Sequence, residues 1–191
     1  MPPKARVTRE MILDAAFDLV RSQGQAALNV RAVAHRLGCS TQPVLYNFAT
    51  VAALKEAVYR KADAFHTAYI LPKAAPGDQA LLQLGLNYVR FGHEEKHLFR
   101  FLFESNRFGG MDLKGLLRGP GVDELVGILS QGLGCGAAEA EQMFLTFFAV
   151  AHGLASLLAN NAMAYEETEC TGMLETVFYG ALASMKGDPN A

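Results

Sequence analysis

At 191 residues the chain accommodates one domain or two small ones and can bury a substantial core, and its hydrophobic fraction of 51% is ordinary for a folded protein. The net charge of −2 hides an uneven balance: residues 1–60 hold eight Lys and Arg against four Asp and Glu, a net of +4 that leaves −6 for the remainder, as expected of a small nucleic-acid-binding part joined to a body that does not bind nucleic acid. Cys39, Cys135 and Cys170 are far apart and in no C-x-x-C pair, which argues against a disulfide framework or zinc finger and for reduced cytoplasmic thiols, and Met1–Arg9 lacks the apolar core of a signal peptide.

Thr8 is placed to cap a first helix running to about Gln23, with Ile12, Ala16, Leu19 and Val20 as its inner stripe and Gly24 as its stop. Pro2, Pro3, Lys4 and Arg6 precede it as a basic arm suited to a phosphate backbone. Residues 29–48 read as two short helices around a tight turn. Asn29 caps the first, whose apolar positions Val30, Val33, Ala34 and Leu37 share a face; Gly38 reverses the chain, and Ser40 stands at the N-cap of the second. Pro43 falls at the third helical residue, where a missing N–H leaves no intrahelical bond unmade. At 100° per residue Val44 and Phe48 point inward while Gln42, Pro43 and Tyr46 point outward. This is a helix-turn-helix, and its outward face suits the edges of a major groove: Thr41, Gln42 and Tyr46 for bases, Arg31, Ser40, Asn47 and Lys55 for phosphates, with Pro43 between them.

Thr50 then caps a longer helix with Leu54, Val58, Ala62, Phe65 and Tyr69 on its inner side, broken at 71–78 by two prolines and a glycine. Helical spacing returns from Gln79 to about Gly92 and again over Leu98–Phe103. Residues 105–121, with five glycines and Pro120, are the poorest candidate for regular structure; Val122–Gly132 reads as helical. Helices over 138–162 and 168–185 close the chain. The first is apolar nearly all round, too interrupted by His152, Asn160 and Asn161 for a membrane span, and best explained by its own core on one side and a partner on the other. Ala149, Gly153 and Ala155 allow close approach, and Met173, Val177, Phe178, Ala181 and Leu182 give the last helix a matching face. The expectation is a two-fold dimer through a four-helix bundle. No strand-like alternation appears, so the fold class is all-α: a three-helix head over residues 1–50 and a larger helical body over 51–191, about nine helices in total.

Two constellations carry further chemistry. His93-Glu94-Glu95-Lys96-His97 matches H-E-x-x-H, in which histidines at i and i+4 of one helix bind zinc and the Glu serves as base, but no convincing third ligand follows. The alternative it raises is a helical zinc metalloenzyme using His93, Glu94 and His97. The body's aromatics, among them Phe65, Tyr69, Tyr88, Phe91, Phe103, Phe108, Phe144 and Phe148, form an ordinary core taken singly and, as a group with His152 as polar anchor, the wall of an apolar ligand site. Neither a catalytic triad nor a nucleotide fingerprint is present, and no cofactor or metal is expected.

Head and body together resemble the TetR family of bacterial transcriptional regulators. In the head the resemblance rests on T-R-E-M-I-L-D-A-A-F-D-L-V-R-S-Q-G, N-V-R-A-V-A-H-R-L-G-C-S, Y-N-F and L-K-E-A-V over residues 8–59; in the body, F-L-T-F-F-A-V-A-H-G-L-A-S-L at 144–157 is similar to the W-x-x-x-H-G-x-x-x-L signature of one branch, with Phe in place of Trp. It implies a cytoplasmic homodimer paired through the last two helices, a double-stranded operator with two half-sites, and a small-molecule effector held in the body that shifts the heads; H-E-x-x-H becomes the polar junction between two helices of the body. The sequence departs from the family at three phosphate-facing positions: L-Y-x-H-F aligns on Val44, Leu45, Tyr46, Asn47 and Phe48, so Leu45 and Asn47 replace Tyr and His, and Val51 stands where a Lys is common. The expected function is a ligand-released repressor rather than an enzyme, with a dimeric ligand-binding protein lacking DNA affinity as a further alternative.

Overall fold

The structure, a computed structural model, describes residues 7–71, 77–105, 110–112, 114–115 and 122–185. Among these residues there is no strand. Nine α-helices follow one another: α1 (Arg9–Gln23), α2 (Val30–Arg36), α3 (Thr41–Asn47), α4 (Val51–Ile70), α5 (Gly77–Glu94), α6 (Lys96–Phe103), α7 (Val122–Leu133), α8 (Ala137–Asn160) and α9 (Glu167–Met185), with a 3₁₀ turn at Gln25–Ala27 after α1. The all-α expectation holds. The helices divide into two packing units, one running to Ala68 and taking in Glu95–Ser105, the other holding Tyr69–Glu94 and α7, α8 and α9.

In the first unit the local signals act as the sequence implies. Thr8 Oγ1 accepts from the Met11 N–H at 3.2 Å to open α1, and Gly24, at φ +84°, closes it by donating to the Val20 carbonyl at 2.8 Å. Thr50 Oγ1 caps α4 by accepting from the Ala53 N–H at 3.0 Å. Ile12, Ala16, Leu19 and Val20 are buried on α1, joined by Ala15 and Phe17. On α4 the expected stripe needs correction beyond Ala62: His66 is buried, while Phe65 and Tyr69 are only half-buried. Residues 54, 58, 62 and 66 follow one another at i+4, so the stripe continues through a polar letter, and Phe65 turns toward α1, edge-on to Phe17 at 5.7 Å and under the Arg21 guanidinium at 4.9 Å.

Helix α6 belongs to this unit. It buries Leu98, Phe99, Phe101 and Leu102, sets Phe101 edge-on to Tyr59 at 5.9 Å, and brings Phe103 to 5.0 Å from His66 and 5.1 Å from Phe99. Arg21 Nε, on α1, donates to both carboxylate oxygens of Glu95 at 3.0 and 2.8 Å, and Nη2 donates to Oε1 as well. The packing unit that contains the helix-turn-helix thus also holds most of α4 and a helix from far down the chain, which complete its core.

In the second unit α5, α7 and α9 all pack on α8. Expected as 138–162 and 168–185, the closing helices begin at Ala137 and Glu167, with the first ending at Asn160. Phe147 meets Phe178 edge-on at 6.2 Å, and Arg90 Nη2 donates to Glu167 Oε2 at 2.9 Å across α5 and α9. Helix α8 is long and apolar enough to cross a membrane by length and composition; Ala140, Met143, Phe144, Phe147, Ala151, Ala155, Leu158 and Ala159 are buried against its neighbours, while its other side is exposed. Two glycines let α5 and α8 approach: a Cβ on Gly85 would lie 2.5 Å from the Phe147 ring, and one on Gly92 2.8 Å from the Ala155 carbonyl oxygen.

Gly92→Ala is accordingly expected to cost about 1–3 kcal/mol in urea denaturation, whereas Gly127→Ala on α7, where a Cβ meets nothing within 4 Å, should be neutral or stabilising. Equal losses at both sites would contradict the close approach.

His66 makes stability depend on pH. Burial pushes its imidazole from the ordinary 6.5 down to about 4, so the folded chain keeps it neutral while the unfolded chain takes up a proton as pH falls through 6.5. Between those values the unfolded state binds more protons, and stability falls with falling pH. The loss from this group between pH 7.5 and pH 5 should be about 2 kcal/mol and should vanish in His66→Leu; an equal decline in both proteins would contradict the assignment.

Candidate nucleic-acid interface

Helix α2 is opened by Asn29, whose Oδ1 accepts from the Ala32 N–H at 2.9 Å, and closed by two paired bonds: the Gly38 N–H donates to the His35 carbonyl at 3.1 Å and the Cys39 N–H to the Ala34 carbonyl at 3.0 Å. This Schellman closure needs the left-handed φ of +61° at Gly38, where any side chain would be strained. The chain emerges at Ser40 in extended geometry (φ −74°, ψ 168°), so α3 starts as expected, with Pro43 at its third residue. One detail differs: the Ser40 side chain makes no capping bond and leaves its hydroxyl on the surface.

Val44 and Phe48 are buried and fix the inner side of α3. Arg9, on α1, lays its guanidinium over the Phe48 ring at 4.5 Å and so ties the start of α1 to the end of α3. The opposite side is open. Tyr46 is 83% exposed and Leu45 48%, and Ser40, Thr41 and Gln42 are exposed with them, while Pro43 is half-buried. Asn47 Nδ2 donates to the Pro43 carbonyl at 2.8 Å, which turns the amide back on its own helix. Among the expected phosphate partners, Arg31 is exposed and Lys55 half-buried; Arg36, exposed on α2, is paired with Asp18 at 3.1 Å. Lys4 and Arg6 lie outside the described residues.

A surface groove runs along this face, lined by Val7, Thr8 and Arg9 at the start of α1 and by Ser40, Gln42, Pro43, Tyr46 and Asn47 around α3. Five of the eight expected interface residues meet there. Val7, Thr8 and Arg9 were missed by sequence reasoning, because only the tertiary packing of α1 on α3 brings them to the groove; the cation and aromatic pair Arg9 and Phe48 lies 39 residues apart and leaves no local pattern.

The expected ligand residues separate. Phe65 and Phe103 pack within the first unit, as described, and Phe108 lies outside the described residues. In the second unit Tyr88, Phe148 and His152 come together: Tyr88 Oη lies 2.9 Å from His152 Nδ1, and the Phe148 ring is 5.7 Å from Tyr88 and 5.6 Å from His152. Phe144 stacks on Phe148 at 6.2 Å. Burial pushes the Tyr88 phenol well above its ordinary range, so it stays protonated. Tyr69 and Phe91 form a separate pair at 5.3 Å, with Tyr69 Oη donating to Glu94 at 2.6 Å.

The H-E-x-x-H reading fails on geometry. Helix α5 ends at Glu94 and Glu95 leaves helical angles (φ −112°, ψ 46°), so the two histidines do not share a face of one helix. His93 stacks on Tyr165 at 5.0 Å, and the His97 ring packs beside Gly24. Among the described residues no group of three or more His, Cys, Asp or Glu is arranged to hold a metal ion. The segment is indeed a helix junction, though α6 joins the head unit rather than the body.

No family model matches the chain, and no curated protein matches it. Solved structures do. A TetR-like transcriptional regulator from Rhodococcus sp. RHA1 superposes with a TM-score of 0.65 at 16% identity, over 96% of this chain and 98% of that one. A TetR-family regulator from Streptomyces coelicolor gives 0.66 at 19% identity, over 92% and 82% of the two chains. The chain has the fold of TetR-like transcriptional regulators. Another Rhodococcus transcriptional regulator agrees, with a TM-score of 0.63 at 19% identity over 93% of this chain and 97% of that one.

Proposed function

We propose that this protein is a cytoplasmic transcriptional regulator that binds an inverted-repeat operator as a homodimer, acts as a repressor, and is released by a small apolar or amphipathic ligand. The observation that carries the reading is α3 itself: a helix anchored by Val44 and Phe48 on one side, offering Thr41, Gln42 and Tyr46 on the other, beside a groove lined by Arg9 and Ser40. Phosphates would be met by Arg9, Arg31, Ser40 and Lys55, and by the second N–H of the Asn47 amide, in place of the Tyr, His and Lys absent at Leu45, Asn47 and Val51.

Dimerisation is supported by the outer faces of α8 and α9. Gln142, Thr146, Ala149, Gly153 and Leu157 are exposed and follow one another three or four residues apart on α8; Met173, Thr176 and Gly180 do so on α9, with Tyr179 exposed beside them. Gly153, Gly172 and Gly180 have open space where a Cβ would stand, as a close helix pairing requires. For the ligand, the hydrogen-bonded Tyr88 and His152 among Phe144 and Phe148 provide a polar anchor within an aromatic wall. A ligand there alters DNA affinity only as far as it binds one conformer better than the other.

Selection of bound duplexes from random DNA tests the reading. The wild-type protein should enrich an inverted repeat with half-sites about one helical turn or a multiple apart, ~34 Å per turn, and Gln42→Ala and Tyr46→Ala should each weaken discrimination at particular positions by about 1–3 kcal/mol. No enrichment even at low salt would leave a ligand-binding protein without DNA affinity.

A further inference from the structure

The residues that α3 exposes carry no charge. From Ser40 to Ala49 the chain has neither Arg, Lys, Asp nor Glu, and the exposed side chains are Ser40, Thr41, Gln42, Leu45, Tyr46 and Ala49. That composition restricts which bases this helix can read. Guanine offers two acceptors, N7 and O6, to the major groove and is met bidentately by the paired donors of Arg or Lys; the amino group of cytosine is met by a carboxylate. Adenine offers a donor and an acceptor side by side, N6 and N7, which one side-chain amide matches with its oxygen and nitrogen. Thymine adds a C5 methyl, which an apolar side chain covers.

Two amides lie on α3, and one is committed. Asn47 donates to the Pro43 carbonyl at 2.8 Å, whereas Gln42 makes no hydrogen bond among the described residues and lies open in the groove. Leu45, nearly half exposed on the flank of α3 next to its buried side, leaves much of its apolar side chain uncovered. Gln42 and Leu45 stand three residues apart, about 4.5 Å along the axis, a little more than one base step. The nearby cations are elsewhere: Arg9 is stacked on Phe48, Arg36 is paired with Asp18, and Arg31 and Lys55 project from α2 and α4.

We propose that the base pairs read by Gln42 and Leu45 are A·T pairs, with Gln42 taking adenine through N6 and N7 and Leu45 lying on thymine C5 methyl groups one or two steps away. The inference rests on the DNA-binding function proposed above and specifies its ligand.

The same selection supplies the test when Gln42→Ala, Leu45→Ala and Gln42→Arg are run beside the wild-type chain. Positions whose preference collapses in Gln42→Ala should be A·T, and Gln42→Arg should convert them to G·C. Deoxyuridine in place of the thymine at the Leu45-dependent position should weaken wild-type binding about fourfold, the value of one buried methyl-sized group, and leave Leu45→Ala unchanged. A Gln42-dependent position that is G·C, or deoxyuridine bound as tightly as thymine, overturns the assignment while leaving DNA binding intact. If no duplex is enriched at all, the DNA-binding function falls and this assignment falls with it.

Discussion

A helix of seven residues does not hold itself in water. Everything α3 offers to a partner therefore depends on the burial of Val44 and Phe48, each worth about 1.5–3 kcal/mol when fully removed from solvent. Because the two stand four residues apart they lie on one side, and their burial fixes which residues face out: Thr41, Gln42, Leu45 and Tyr46 have no other place to go. Arg9 covers the outer edge of Phe48, and Gly38 sets the angle at which α3 leaves α2. An interface made of short helices is as exact as the core beneath it.

That core is not built from neighbours in sequence alone. Helix α6 returns to the head after α5 has ended in the other unit, and Glu95 is the residue at which it does so. The carboxylate is mostly buried, and the Arg21 guanidinium meets it as a bidentate pair, the kind of charge-assisted contact that holds a fixed angle as well as a distance. Arg21 also covers Phe65, so one side chain of α1 ties together α4 and the start of α6. A chain that leaves the head, forms α5 and comes back gives the two units a covalent link besides α4.

What the sequence revealed and what it hid follow from how local each signal is. Thr8, Gly24, Asn29, Gly38, Pro43 and Thr50 each act within four residues of themselves, and the caps and turns they imply are present. His66 was passed over because a polar letter interrupts an apolar stripe, although the i+4 spacing continued through it. Helical spacing lapsed between Gly92 and Leu98, and only the H-E-x-x-H pattern taken by itself put both histidines on one helix; the break at Glu95 removes that zinc site. Phe65 and Phe103 were grouped with the body's aromatics by chain order, and the return of α6 to the head separates them. The groove between α1 and α3 depends on packing across 39 residues, which no periodicity reports.

The central claim is that α3, held from beneath, is the surface that meets duplex DNA. Amide hydrogen exchange of the whole protein, with and without its selected duplex, tests it most directly. Slowed exchange concentrated in α2 and α3 and at Thr8 and Arg9, weakened by side-chain loss at Gln42, is the predicted result. Unchanged exchange in α3, with protection appearing on α8 or α9 alone, would contradict the account.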